Sequence, residues 1–154
     1  MIVVDLPNEA ATAALAVRIA GLAQRADIIA LKGELGAGKT TFARAFIRAR
    51  GEHEDEVPSP TFTLVQVYQL DPAAVWHFDL YRLRDPEEAW ELGIEDAFSD
   101  GISLIEWPER LGSLLPERRL EIALEFDDHP GARRALLDPG TGWHARLAAI
   151  AADA

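Results

Sequence analysis

Two kinds of hydrophobic run mark the strands of this chain. Asp27–Lys32 (DIIALK) and Ile102–Glu106 (ISLIE) are short apolar runs without alternation. Such runs read as strands covered on both faces, as in a parallel sheet. Leu120–Phe126 (LEIALEF) alternates instead, which marks a strand with one face toward solvent. Ile2–Asp5 reads as an edge strand and Thr61–Leu70 as a strand rich in Thr and Val. Ala74–Asp79 is its hairpin partner across Asp71-Pro72, and Arg134–Leu137 is a last strand. Helical spacing predicts Glu9–Gln24, capped by Asn8 and apolar along Leu15, Ile19 and Leu22. Further helices are predicted at Thr40–Arg50, ended by Gly51, at Pro86–Trp90, and at the C-terminus through Trp143, Leu147 and Ile150. A βα start followed by a β-rich middle predicts an α/β fold, with helices on the faces of a mixed parallel/antiparallel sheet.

A length of 154 residues suits a single domain spanning 1–154. The absence of Cys excludes disulfides, thiolate zinc sites and a Cys nucleophile. A net charge of −11 argues against direct binding of nucleic acid, so any work on RNA calls for a partner that holds it. No apolar run is long enough for a transmembrane helix, and a cytoplasmic protein is expected.

Gly33-Glu34-Leu35-Gly36-Ala37-Gly38-Lys39-Thr40 matches G-x-x-x-x-G-K-[ST] without substitution, between a buried strand and a helix. Glycines let such a loop curl its N–H groups toward phosphate oxygens, and the following helix N-terminus favours an anion. The expected nucleotide-binding segment continues through Thr41. Lys39 is expected to be exposed in the empty loop and to meet the β- and γ-phosphates, with the Thr40 hydroxyl on Mg²⁺. The chain has only two lysines, Lys32 and Lys39. With none after Lys39, a guanine-reading N-K-x-D motif cannot exist, and adenine is the expected base. Asp128-His129-Pro130-Gly131 is read as a turn.

Mg²⁺ bound with a nucleotide calls for a carboxylate at the end of a buried strand. Glu106 ends the apolar run Ile102–Ile105, and Asp79 ends Val75–Phe78. Either could ligate the metal, the other positioning water. The more polar character of Val75–Phe78 favours Glu106 as the ligand. Trp107 beside Glu106 is read either as core or as a ring that stacks near the nucleotide or a partner. His77 is read as packing, or as orienting Asp79. Ser59, Thr61 and Thr63 lie where a switch-like loop would sense the γ-phosphate.

Four segments together carry a resemblance: GELGAGKTTF (Gly33–Phe42), SPTFTL (Ser59–Leu64), HFDLYR (His77–Arg82) and LIEWP (Leu104–Pro108). Across nearly the whole chain the sequence resembles the TsaE-type P-loop ATPases of bacterial tRNA threonylcarbamoyladenosine biosynthesis. The resemblance implies a P-loop NTPase-like three-layer fold and a slow, Mg²⁺-dependent ATPase that works with TsaB and TsaD and meets tRNA only through them. It implies Thr40 and Glu106 as metal ligands, with Asp79 as a second essential acid. Lys39, Asp79 and Glu106 then make up the catalytic set. Thr61 or Thr63 would belong to the switch-like loop. Thr12 and Arg133 would contact the nucleotide outside the loop. Glu34 departs from the Asp common in the family, which touches only a side-chain contact. The competing readings are a small-molecule kinase, disfavoured by scattered Arg without a lid segment, and a nucleotide-gated binder that never hydrolyses.

Overall fold

The computed structural model of this chain describes residues 1–51, 60 and 63–153. Ser59, Thr61 and the acidic stretch 52–56 lie outside the described residues. The elements are β1 (Ile2–Leu6), α1 (Glu9–Leu22), β2 (Ile28–Lys32), α2 (Lys39–Ala49), β3 (Val65–Tyr68), β4 (Val75–Asp79), α3 (Ile94–Asp100), β5 (Ile102–Glu106), β6 (Leu120–Phe126), β7 (Arg133–Asp138) and α4 (His144–Asp153). Two 3₁₀ segments, Pro86–Leu92 and Pro108–Leu114, flank α3 and β5.

One seven-stranded sheet runs in the order β1-β7-β6-β2-β5-β4-β3. Its centre, β6-β2-β5-β4, is parallel, with antiparallel edges added by β7 and β1 on one side and β3 on the other. The unbroken apolar runs of β2 and β5 lie at the centre, where both faces are covered. Alternation along each strand sorts side chains into two cores. Ile29, Leu31, Ile102, Leu104, Ile122 and Leu137 pack with α1, α2 and α4. Ile28, Phe78 and Ile105 point the other way, toward α3 and the 3₁₀ segments through Ile94, Ala97, Ala89 and Leu111. The result is the expected three-layer α/β arrangement.

Three differences from the sequence reading have local causes. Helix α1 stops at Leu22, short of Gln24, because the Asp27 carboxylate takes the Gln24 N–H at 2.6 Å and Ala23 is extended. Strand β3 begins only at Val65, because Leu64 has a φ of 68° and turns the chain by donating its N–H to Pro60 O at 2.6 Å. Helix α3 was not expected. Its seven residues, bounded by Gly93 and Gly101, are too few for a periodic signal. Among the described residues no helix is long and apolar enough to cross a membrane.

Candidate functional site

The Gly33–Thr40 loop joins β2 to α2 at the carboxyl ends of the parallel strands, where open α/β sheets form their crevice. Gly33 has a φ of 145°, and a Cβ there would lie 2.6 Å from the backbone oxygen of Leu124 on β6, so only glycine lets the loop pass. Gly38, with a φ of 107°, starts α2 without a side-chain cap. The first turn of α2 therefore presents N–H groups unclaimed by a capping side chain, a favourable place for an anion.

Side-chain parity gathers the acids. Val75, His77 and Asp79 share one face of β4, while Leu104 and Glu106 share the same face of the neighbouring β5. In register, Asp79 stands opposite Glu106 and His77 opposite Leu104. That face is the one covered by α2, so Thr40 meets Glu106, donating its hydroxyl to Oε1 at 2.9 Å. His77 is fully buried, and its Nε2 lies 2.6 Å from Glu106 Oε2. Asp79 is 5% exposed and Glu106 3% exposed. Asp79 Oδ1 accepts the Tyr81 N–H at 3.2 Å, which turns the chain at the end of β4.

Lys39 is buried, contrary to the expectation that it stands exposed in the empty loop. Its Nζ donates to Gly33 O and, at 2.9 Å, to Glu34 O. The ammonium also sits 4.1 Å from the ring centre of Trp107, a cation–π contact. Burial lowers the Lys39 pKa from its ordinary value, opposed by the charges of Glu106, Glu109 and Asp79. Trp107 reaches this position through a φ of 60°, an unusual conformation for a bulky residue and one that stores strain. Its ring leans on Tyr81, with centroids 4.9 Å apart.

These residues line a cleft of about 240 Å³ bounded by Leu35, Gly36, Gly38, Lys39, Thr40, Thr41, Asp79, Tyr81, Glu106 and Trp107. A second hollow of about 170 Å³ shares Gly36, Gly38 and Thr41 with it and is lined also by Thr12 and Arg133. The structure thus brings together Lys39, Thr40, Thr41, Asp79, Glu106 and Trp107, with Thr12 and Arg133 at the far side of the loop. The Arg133 guanidinium is engaged by the loop itself, donating to Ala37 O at 3.1 Å and Gly36 O at 3.0 Å over the ring of Phe126. Ala37 is turned into the core and Glu34 is exposed, offering only its carbonyl to Lys39. Thr63 is exposed, and its hydroxyl donates to Val65 O at 3.3 Å.

Two readings from sequence change here. His77 pairs with Glu106 rather than Asp79, because a strand side chain reaches diagonally to the neighbouring strand. The contrast between a buried Ile102–Ile105 and a more polar Val75–Phe78 narrows to Trp76, which is half-buried, since Val75, His77 and Phe78 are as buried as β5. The sequence reading also missed Arg133 as a support of the loop.

The family model for "Threonylcarbamoyl adenosine biosynthesis protein TsaE" matches residues 6–135. The chain is 42% identical over 123 residues to the tRNA threonylcarbamoyladenosine biosynthesis protein TsaE of Rickettsia felis, covering 80% of this chain and 72% of that one. It is 42% identical over 125 residues to the protein of the same name from Aquifex aeolicus, with 80% and 85% covered. The crystal structure of Bacillus subtilis YdiB superposes with a TM-score of 0.77 at 25% identity, covering 99% of this chain and 94% of that one. With the fold, the glycine loop and a family match over most of its length in agreement, this chain belongs to the TsaE family.

Proposed function

We propose that this chain is a Mg²⁺-dependent ATP-binding and ATP-hydrolysing subunit for threonylcarbamoylation of tRNA adenosine, acting in the cytoplasm with TsaB and TsaD. The observation that carries the reading is the hydrogen bond from Thr40 to Glu106 at the mouth of a complete G-x-x-x-x-G-K-T loop. A hydroxyl and a carboxylate, with Asp79 in register beside them, are hard oxygen donors. They suit Mg²⁺, which keeps several waters and takes one or two carboxylates together with substrate phosphates. When bound, the ion would neutralise charge on the β- and γ-phosphates. The chain's own residues do the rest. Lys39 would hold phosphate oxygens, Thr40 and Glu106 would hold the ion, and Asp79 would position water. The missing guanine-reading lysine favours adenine, and the charge of −11 favours protein partners over bare tRNA.

The test is to incubate the pure chain with ATP and Mg²⁺, alone and with TsaB and TsaD. Release of phosphate without a phosphorylated acceptor, increased by the partners and lost in Lys39→Ala, is the expected result. A phosphorylated small molecule would mean a kinase. Unchanged ATP binding by Lys39→Ala would move the site elsewhere.

A further inference from the structure

The imidazole of His77 is fully buried on the face of β4 that also carries Val75 and Asp79, opposite Leu104 of β5. Its Nε2 lies 2.6 Å from Glu106 Oε2, with both residues buried. The other oxygen, Oε1, already accepts the Thr40 hydroxyl at 2.9 Å. A carboxylate only accepts, so the imidazole proton sits on Nε2. Nδ1 then faces the interior with no hydrogen-bonding partner among the described residues, a cost that packing does not explain.

We infer that His77 is a positioning residue: it fixes Glu106 by one oxygen, so that the other is presented to the glycine loop as a single, pre-aimed ligand. This rests on the reading of Glu106 as a Mg²⁺ ligand. The two carboxylate oxygens are not equivalent in this chain. Oε2 is held from the strand side by a group with no other side-chain hydrogen bond among the described residues. Oε1 is held by Thr40, whose hydroxyl is itself expected to leave when a metal–nucleotide arrives. Once Thr40 turns away, Oε1 is the free oxygen, and His77 keeps the carboxylate from rotating. Without His77, Glu106 is free to turn toward other donors, and the site has to be ordered at the moment of binding.

The experiment titrates Mg²⁺ into the chain holding a non-hydrolysable ATP analogue, for wild type, His77→Leu and His77→Gln, and repeats the analogue titration in chelator. His77→Leu is expected to raise the half-saturating Mg²⁺ concentration by about tenfold or more, while metal-free analogue affinity stays within about twofold. Gln carries an Nε2 donor at comparable reach and is expected to restore most of the loss. Should Leu not fold, His77→Asn replaces it, since its amide falls short of Oε2 and its Mg²⁺ requirement should rise likewise. A Mg²⁺ requirement unchanged in Leu or Asn overturns the inference. So does an equal loss of metal-free affinity, or a Gln variant no better than Leu. If wild type binds the analogue without regard to Mg²⁺, the metal reading of Glu106 falls and His77 with it. If wild type depends on Mg²⁺ and the variants match it, His77 alone is misassigned.

Discussion

Two carboxylates are buried at opposite ends of the parallel sheet, and their company differs. Asp27, just before β2, is 6% exposed and receives both Arg146 Nη1 at 2.6 Å and Nη2 at 3.0 Å, with the Gln24 N–H at 2.6 Å. Arg146 also bonds Leu22 O and Gly142 O and stacks on Trp143, so this cluster is a closed clasp between α1 and α4. Glu106, at the end of β5, is as buried but is held by an imidazole and a hydroxyl, with Asp79 aligned beside it and Lys39 turned onto the loop's carbonyls. A permanent, bidentate cation makes a buried acid structural. Among the described residues Glu106 has no such cation on it, and its Oε1 is held only by the Thr40 hydroxyl. Burial alone does not separate the two cases, whereas the identity of the partner does.

The comparison breaks first at the clasp. Arg146→Ala leaves Asp27 buried and unpaired, and should destabilise the fold by about 3–5 kcal/mol in urea unfolding, with ATP affinity unchanged in the folded fraction. Removing both charges with aliphatic side chains should cost much less. A large loss of ATP affinity in the folded variant would mean that the clasp reaches the site. At the other end the effects should invert. Asp79→Ala should keep Mg²⁺-ATP binding and slow single-turnover hydrolysis by about 100-fold, while Glu106→Ala weakens binding and hydrolysis together. Both should melt closer to wild type than Arg146→Ala does. Reversal of the two acids in that assay would exchange their roles.

The next effect is smaller and tests the loop's support. Arg133→Ala removes two charge-assisted bonds to Gly36 O and Ala37 O, and ATP and ADP affinity should both fall roughly tenfold by calorimetry. A loss confined to one nucleotide would point to direct contact instead. The smallest effect is one of pH. Folding lowers the Lys39 pKa through burial, so between that lowered value and the ordinary 10.5 the unfolded chain binds more protons than the folded one. The cost of burying the ammonium is borne in full below the folded pKa and relieved above it. Nucleotide-free protein should therefore gain a little stability, relative to Lys39→Met, as pH rises through that window. Parallel melting curves of the two proteins against pH would show otherwise.

The central strands, the loop and its helix were legible because each has a strong local signal: an unbroken apolar run, or glycines and a lysine at fixed spacing. That Asp79 stands opposite Glu106 follows from the parallel pairing of β4 with β5, which no local signal announced. What stayed hidden depends on partners distant in sequence. His77 looks like any strand residue until β4 and β5 are in register. Lys39 looks exposed until its loop is folded and Trp107 arrives from beyond β5. The seven residues of α3 carry too little pattern to announce a helix. Ser59 and Thr61 lie outside the described residues, so the switch-like loop is met only at Thr63.

The support of the loop by Arg133 has a consequence for how the protein is made. Gly36 and Ala37 leave the ribosome long before the residue that braces them, 97 and 96 positions later. Gly33 passes against Leu124, and among the described residues β1 pairs only with β7, so the earliest strand waits for one of the last. Such distant pairings close slowly, because a long stretch of chain must be ordered before they form. A nascent chain halted before residue 120 would carry the whole glycine motif and lack both the wall behind it and the brace across it. The glycine loop therefore gains its wall and its brace only late in synthesis.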